Sequence, residues 1–279
     1  MKNKKQTSFQ GKEIPLFYWS EIKFIFREKE NYGDLLSKYL VEKTSGKTVK
    51  FVQPKKQPWY KWDKTNFLSI GSILHHADKN SIVWGSGIID HEHEIAEADF
   101  RAVRGPQTRE FLLNFGYSCP EIYGDPALLL PKYYNPQAER KYKVGIVPHY
   151  HDYKKAVELF QDKPGIKVID LLSMDVEETT REILSCENII SSSLHGLIVA
   201  HAYKIPALWV KFSDKIFGNG IKYQDYFESL NIPFYKADFI ENSKTAEELF
   251  RLMQGKPLLP EEDDLKKVQQ ALLESCPFL

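Results

Sequence analysis

The stretch NIISSSLHGLIVAHAYKIP, Asn188 to Pro206, decides how the whole chain is read. NIISSS reads as a buried strand, since a short apolar run with turn residues behind it suits a sheet covered on both faces. LHGLIVAHAYK has the length of a helix, and PALWVKF after it is a further strand. Strand, turn, helix and strand in that order make a crossover unit, and crossover units imply parallel strands.

The same rhythm continues on either side. Upstream, KVGIVPHY (Lys143 to Tyr150) reads as a strand, DYKKAVELF as a helix and KVIDLL (Lys167 to Leu172) as a strand; MDVEETTREILSC is a helix with Asp175 as its N-cap. Downstream, IKYQDYFESL gives a helix and IPFYKAD a strand. The N-terminal half repeats the pattern with LFYWS, TVKFV, NFLSIG and SIVWGSG as strands. GDLLSKYLVEKTSG is a helix ending at Gly46, SILHHAD a short helix, and PQTREFLLNFG a helix opened by Pro106. DFRAVRG is extended, EIYGDPALLLP closes the half, and PKYYNPQAERKY is the linker. SKTAEELFRLM and EEDDLKKVQQALL are amphipathic helices, the latter with Leu265, Val268 and Leu272 on one face. The expectation is an α/β protein of two similar domains with parallel sheets facing a cleft, residues 1–131 and 132–279, the last helix packing back on the first domain.

Composition sets bounds. The 279 residues are 42% hydrophobic and 27% charged, as in a folded globular protein. Lysine plus arginine equal aspartate plus glutamate at 38 each, so no bulk charge favours a nucleic-acid partner and an anion site must come from local placement. The odd, scattered cysteines Cys119, Cys186 and Cys276 argue for a reduced, cytoplasmic setting rather than a disulfide framework. No apolar run approaches the roughly 18 residues of a membrane span. The basic start MKNKKQTSFQGKE lacks a signal core and reads as a solvated terminus, with an anionic membrane surface as the alternative contact.

In open parallel sheets ligands bind beyond the carboxyl ends of the strands, and the chemistry-bearing residues collect at such points. Ser191, Ser192 and Ser193 are placed to cap a helix whose free N–H groups attract anions, with Leu194, His195 and Gly196 in its first turn. A histidine there is held toward its neutral form and suits a general base; its ordinary reading is packing against a loop. Arg104, at a Gly-Pro helix start, offers a fork for phosphate or carboxylate, whereas Arg101 points to the other face of the extended segment. Either arginine could instead pair with a nearby acid. Gly85, Ser86 and Gly87 form a turn that either lets backbone approach a ligand or simply turns tightly. Gly33 with Asp34 opens a helix and Gly124-Asp125-Pro126 ends a strand; the aspartates are N-cap or turn residues by default and sugar-hydroxyl ligands otherwise. His149 lines the expected cleft, and Lys211 and Lys215 follow a strand end as cations or as plain surface lysines. His91-Glu92-His93 and His149-Tyr150-His151 lack a third ligand and helical pairing, so no metal is expected.

The order of NYGDLL, WGSG, FRAVRGPQTREF, YGDPALLLP and IISSSLHGLIVAHAYKIPAL resembles the polysaccharide pyruvyl transferase family, from about Asn31 to Val210. The serine–leucine–histidine–glycine run is its most specific element. The resemblance implies two Rossmann-like domains in the glycosyltransferase B-type arrangement, the first on the acceptor side and the second on the phosphoenolpyruvate side. It implies transfer of pyruvate from phosphoenolpyruvate onto two hydroxyls of a sugar as a cyclic ketal, with no cofactor. The sugar would be a hexose such as galactose in a surface or capsular polysaccharide unit, carried on a lipid at the inner membrane face. By position His195 corresponds to the catalytic histidine and Arg104 to the anion-binding arginine. Many members carry arginine where this chain has Ser193; Lys211, Lys215 or Arg104 is then the expected source of that charge. Tyr18, Trp19, Tyr32, Trp59, Tyr60 and Trp62 are available to a sugar ring. A nucleotide-sugar glycosyltransferase of the same architecture and a non-catalytic glycan-binding module are the rival readings.

Overall fold

The computed structural model describes residues 9–216 and 218–279; the first eight residues of the basic start lie outside the described residues. In chain order the elements are β1 (Glu13–Phe17), α1 (Glu21–Ile25), β2 (Glu30–Asn31), α2 (Tyr32–Ser45), β3 (Thr48–Phe51), β4 (Asn66–Leu68), β5 (Ser81–Trp84), β6 (Asp99–Ala102), α3 (Pro106–Asn114) and α4 (Leu130–Tyr133). They continue with β7 (Tyr142–Val147), α5 (Tyr153–Phe160), β8 (Ile166–Val168), β9 (Leu172–Ser173), α6 (Val176–Leu184), β10 (Cys186–Ser191), α7 (Leu194–Ala202), β11 (Ala207–Lys211), α8 (Ile221–Ser229), β12 (Asp238–Phe239), α9 (Ala246–Met253) and α10 (Glu262–Glu274).

Two five-stranded parallel sheets result, ordered β3-β1-β4-β5-β6 and β8-β7-β10-β11-β12. The two halves therefore share one winding: each starts at its second position, steps to the edge, then returns past its start. That reversal separates the loops leaving β1 and β4 in the first sheet, and those leaving β7 and β10 in the second. Such reversal points open a crevice at the carboxyl ends of the strands. Strands β7 and β10 are nearly continuous apolar runs because helices cover both of their faces.

Most expected elements are present within a few residues. Gly46 caps α2 in the left-handed conformation (φ 65°), and Asp175 accepts from the backbone N–H groups of Glu177 and Glu178 at the start of α6. Three expectations change. IPFYKAD is extended only at its end, in β12, and SILHHAD shrinks to a 3-10 turn, Leu74–His76. The segment before Asp125 forms a single bridge, Val103 to Tyr123, rather than a strand. Helix α1 and the antiparallel pair β2–β9, which joins Glu30 to Ser173 and Asn31 to Leu172, were not foreseen. Two-residue strands carry no period to read.

The halves are joined by burial. Tyr32, Leu36 and Leu40 of α2, with Ile70, Ala127 and Leu128, share one apolar cluster with Leu197, Ile198 and Tyr226 from the second half. On the far face of the first sheet, Leu272 and Phe278 pack among Ile14, Leu16 and Trp84, and the Trp84 indole donates to the Leu272 carbonyl at 2.9 Å. Helix α10 thus belongs to the core beside the first sheet.

A buried ion pair adds a polar tie. Arg104 Nε donates to Asp225 Oδ2 at 2.9 Å, and both residues have no exposed surface. The same carboxylate accepts from the Thr108 hydroxyl at 2.7 Å and the Thr108 N–H at 2.9 Å, fixing α8 against the start of α3. Gly105 must lack a side chain because the Asp225 backbone occupies that space. Removing one member of such a pair strands a buried charge. Arg104→Ala is therefore expected to cost about 3–5 kcal/mol in urea unfolding, with Arg104→Lys failing to restore it because an ammonium lacks the fork. An unfolding midpoint unchanged in both variants would remove the tie from the fold.

Candidate active site at the two sheet reversals

Helix α7 is apolar nearly all round, and every one of its residues is buried except His195. A helix without a polar face must be surrounded, and the single titratable side chain of its first turn is the one that reaches partly into the open. The His195 ring lies over Gly33 at the start of α2, where an added methyl would collide with Nδ1, Cγ and Cε1. Its Nε2 lies 3.7 Å from Asp125 Oδ2, and neither atom has a hydrogen-bond partner. The other Asp125 oxygen accepts from the Ala127 N–H at 2.9 Å, which fixes the carboxylate. Unsatisfied buried polar atoms are uncommon; here two of opposite character face each other.

His149, in the loop leaving β7, is beside this pair. Burial first, then the charge of Lys222 and the neighbouring His151 and His195 rings, push its pKa down to about 3, so its imidazole is neutral at neutral pH. Lys222, on the first turn of α8, has its pKa pushed down to about 8 by burial and by the Arg104 guanidinium, against the pull of Asp34. Asp34, in the first turn of α2, is raised well above the usual carboxylate range by burial and by Glu21 and Glu30, with Lys222 opposing. Its carboxylate lies next to Gly71 in the loop leaving β4. Glu21, in the segment leaving β1, accepts from the Trp19 indole at 3.1 Å and pairs with Arg27 at 3.2 Å. Loops from both sheet reversals thus meet: β1 and β4 contribute Glu21 and Gly71, β7 and β10 contribute His149 and His195. Asp34, Asp125 and Lys222 complete the group.

Several expected site residues are placed otherwise. Arg104 does not present a free guanidinium: besides Asp225, Nη1 donates to the Ser72 hydroxyl at 2.6 Å and Nη2 to the Ile88 carbonyl at 2.7 Å. Its charge is felt by Lys222 without any exposed surface of its own. At the Gly85-Ser86-Gly87 turn the space beside both glycines is taken by the protein itself. Pro126 fills the space over Gly85, the Arg104 guanidinium fills that over Gly87, and the buried Ser86 hydroxyl donates to the Gly71 carbonyl at 3.0 Å.

Two of the three serines brace the turn. The Ser191 hydroxyl donates to the Val147 and Ser193 carbonyls, and Ser192 donates to the buried Asp152 carboxylate at 2.8 Å while accepting from His149 N–H at 3.0 Å. Ser193 is the N-cap of α7, yet its side chain makes no capping bond. Gly196 is small because Ser191 and Val147 occupy the neighbouring space, and Leu194 is buried in the shared core. Lys211 is 3.8 Å from Asp214 and lines a small cavity of about 80 Å³ with Trp209 and Tyr223; Lys215 is exposed. Of the expected aromatics, Tyr32 and Tyr18 are buried, Trp19 borders Glu21, and Trp59, Tyr60 and Trp62 face solvent.

Reading the sequence missed Lys222, Asp225 and Asp152. Lys222 and Asp225 lie within IKYQDYFESL, a stretch that reads as an ordinary amphipathic helix; their spacing of three, which places them on one face, was the available signal. Asp152 reads as a helix start, and only folding brings Ser192 and Ser213 to it.

The family model described as polysaccharide pyruvyl transferase matches residues 31–214. A protein of Acanthamoeba polyphaga mimivirus, "Uncharacterized protein L143", is 32% identical over 228 residues, covering 79% of this chain and 76% of its own. The succinoglycan biosynthesis protein ExoV of Rhizobium meliloti is 27% identical over 229 residues; the match covers 78% of this chain and 65% of ExoV. Among the described residues no helix is long and apolar enough to cross a membrane. With the histidine turn, the GDPA segment and four of the five strands of each parallel sheet falling inside the matched span, the chain belongs to the polysaccharide pyruvyl transferase family.

Proposed function

We propose that the protein transfers pyruvate from phosphoenolpyruvate onto two hydroxyls of a hexose, galactose being the first to test, to give a cyclic ketal. The two sheets serve as the lobes of a glycosyltransferase B-type arrangement, and the acceptor is a lipid-linked saccharide of a surface polysaccharide. The observation that carries the reading is the meeting of His195, Asp125, His149 and Lys222 at the reversal points of both sheets. One sugar hydroxyl adds to C2 of phosphoenolpyruvate while C3 takes up a proton; phosphate leaves and the second hydroxyl closes the ketal. Of the two hydroxyl protons, one ends on C3 and one on phosphate. His195 moves these protons, its ring seated over Gly33 with the Asp125 carboxylate 3.7 Å from Nε2. Lys222 supplies fixed positive charge toward phosphate and carboxylate, the charge that Ser193 does not bring. His149, neutral, is a hydrogen-bonding side chain at the same place.

Phosphate release from phosphoenolpyruvate, measured with a panel of galactosides, glucosides and mannosides, tests the reaction. Release of a nucleoside diphosphate from sugar nucleotides instead would overturn it, as would binding without release across the panel. His195→Ala is expected to lower turnover by about 10²–10⁴-fold with the unfolding midpoint retained. Gly33→Ala, whose methyl displaces the His195 ring, should reproduce much of that loss; full activity in Gly33→Ala would separate the ring from the chemistry.

The pH profile follows from Lys222. Below a pKa of about 8 it is charged and holds the anion; above it the charge is lost, so kcat/KM for phosphoenolpyruvate should fall on the alkaline side with a midpoint near 8. Lys222→Met should raise KM for phosphoenolpyruvate and abolish that alkaline limb. An unaltered limb in Lys222→Met would assign it to another group.

A further inference from the structure

Away from the site, the carboxyl ends of β1 and β3 carry a surface that the fold does not use. The turn after β3, PKKQPWYKWDK (Pro54 to Lys64), exposes Trp59 at 88%, Tyr60 at 69% and Trp62 completely. Helix α1, leaving neighbouring β1, exposes Ile25 and, at 88%, Phe26. Its Phe24 ring stands 6.0 Å from Phe51, the last residue of β3, so α1 packs beside the strand that leads into the exposed turn. Monomers rarely leave several large apolar rings together in water without a partner for them.

The turn is built. Gln57 donates to the Lys64 carbonyl at 2.7 Å and accepts from Lys61 Nζ at 2.6 Å; Lys61 N–H returns to the Pro58 carbonyl at 3.1 Å. Lys55 Nζ donates to the His75 carbonyl at 2.7 Å, which anchors the turn to the rim. The lysines Lys55, Lys56, Lys61 and Lys64 interleave the aromatics, against one acid, Asp63, whose Oδ1 accepts from the Thr65 N–H. In sequence, Lys23, Arg27 and Lys29 lie within three residues of Phe26, with Glu28 the one exposed acid among them, and Lys23 Nζ stands 5.0 Å over the Phe51 ring.

We infer that this surface, Trp59, Tyr60 and Trp62 with Ile25 and Phe26 inside a ring of lysines, docks on an anionic lipid bilayer. Tryptophan and tyrosine sit at the headgroup level, where an apolar ring and a polar edge are both satisfied. Lysines beside them gain from anionic lipid while their stems stay apolar. A carbohydrate platform fits less well. Sugar recognition needs fixed acceptors and donors beside the ring, whereas Asp63 is already engaged and Ile25 and Phe26 offer only apolar surface. The surface shares its rim with the active site: the His75 ring lies tilted against His76 (4.1 Å), His76 lies 6.0 Å from Trp19, and the Trp19 indole donates to Glu21. Docking there would bring the open edge of the site to the membrane plane.

Flotation with vesicles of phosphatidylcholine containing ~30% phosphatidylglycerol tests this, with tryptophan fluorescence as a second readout. Binding with a blue shift is expected, weaker on pure phosphatidylcholine and at high salt. Trp59→Ser/Trp62→Ser should reduce it about tenfold or more at an unchanged unfolding midpoint, and Lys56→Glu/Lys61→Glu should remove the preference for anionic lipid. Absence of vesicle binding, or equal binding by the tryptophan double variant, would overturn the inference. So would a blue shift given by soluble oligosaccharide but not by vesicles, which would make the surface a glycan platform. Because the readout needs no turnover, a failure of phosphate release leaves this result standing.

Discussion

Asp225 is the point on which the site hangs. A buried carboxylate must be fully satisfied or it destabilises the fold, and here it receives a guanidinium N–H, a hydroxyl and a backbone N–H. The first comes from Arg104, just before α3, and the other two from Thr108 in its first turn, all in the first half, while Asp225 belongs to α8 in the second. The network therefore sets how α8 lies against the first sheet. Lys222, one turn earlier on the same face, is carried into position between Asp34 and His149. Burial first, and then the guanidinium that fixes the helix, lower the pKa of the Lys222 ammonium to about 8. The buried contact thus places the cation that the proposed chemistry uses and adds to the effect of burial on its acidity.

A second constraint acts on the histidine. Helix α7 has no polar face, so it is enclosed by both halves, and its first turn is held by hydroxyl contacts from Ser191 and Ser192 into β7, the His149 loop and Asp152. His195 has little freedom left. Gly33 lets the ring in from one side and Asp125 meets it at Nε2. The glycine and aspartate positions act on the site through space that they vacate or charge that they aim, which is how residues of the first half complete a site opened by the second.

The residues that once looked like ligand-facing groups divide by what the interior needs. Gly85 and Gly87 are small because Pro126 and Arg104 fill the space above them. Arg104 resembles an anion fork in the sequence because it stands at a Gly-Pro helix start; in the fold the anion it grips is Asp225. Nothing local distinguishes a guanidinium bound for a substrate from one bound for a carboxylate 121 residues away.

Read alone, the amino-acid order determined the repeated strand–helix rhythm, the parallel sheets and the turn around His195. Those rest on short-range periodicity and on turn and cap residues such as Gly46 and Asp175. The family motifs fall on the same segments. Tertiary structure alone decided which polar groups are consumed by the interior and which stay available. Lys222 came to lie within reach of Asp34 and His149, Arg104, Ser191 and Ser192 were taken up by internal hydrogen bonds, and Trp59 and Trp62 turned outward. The reason is physical: backbone preference is written within a few neighbours, whereas the pairing of a buried charge or hydroxyl is settled only when distant segments compete for it.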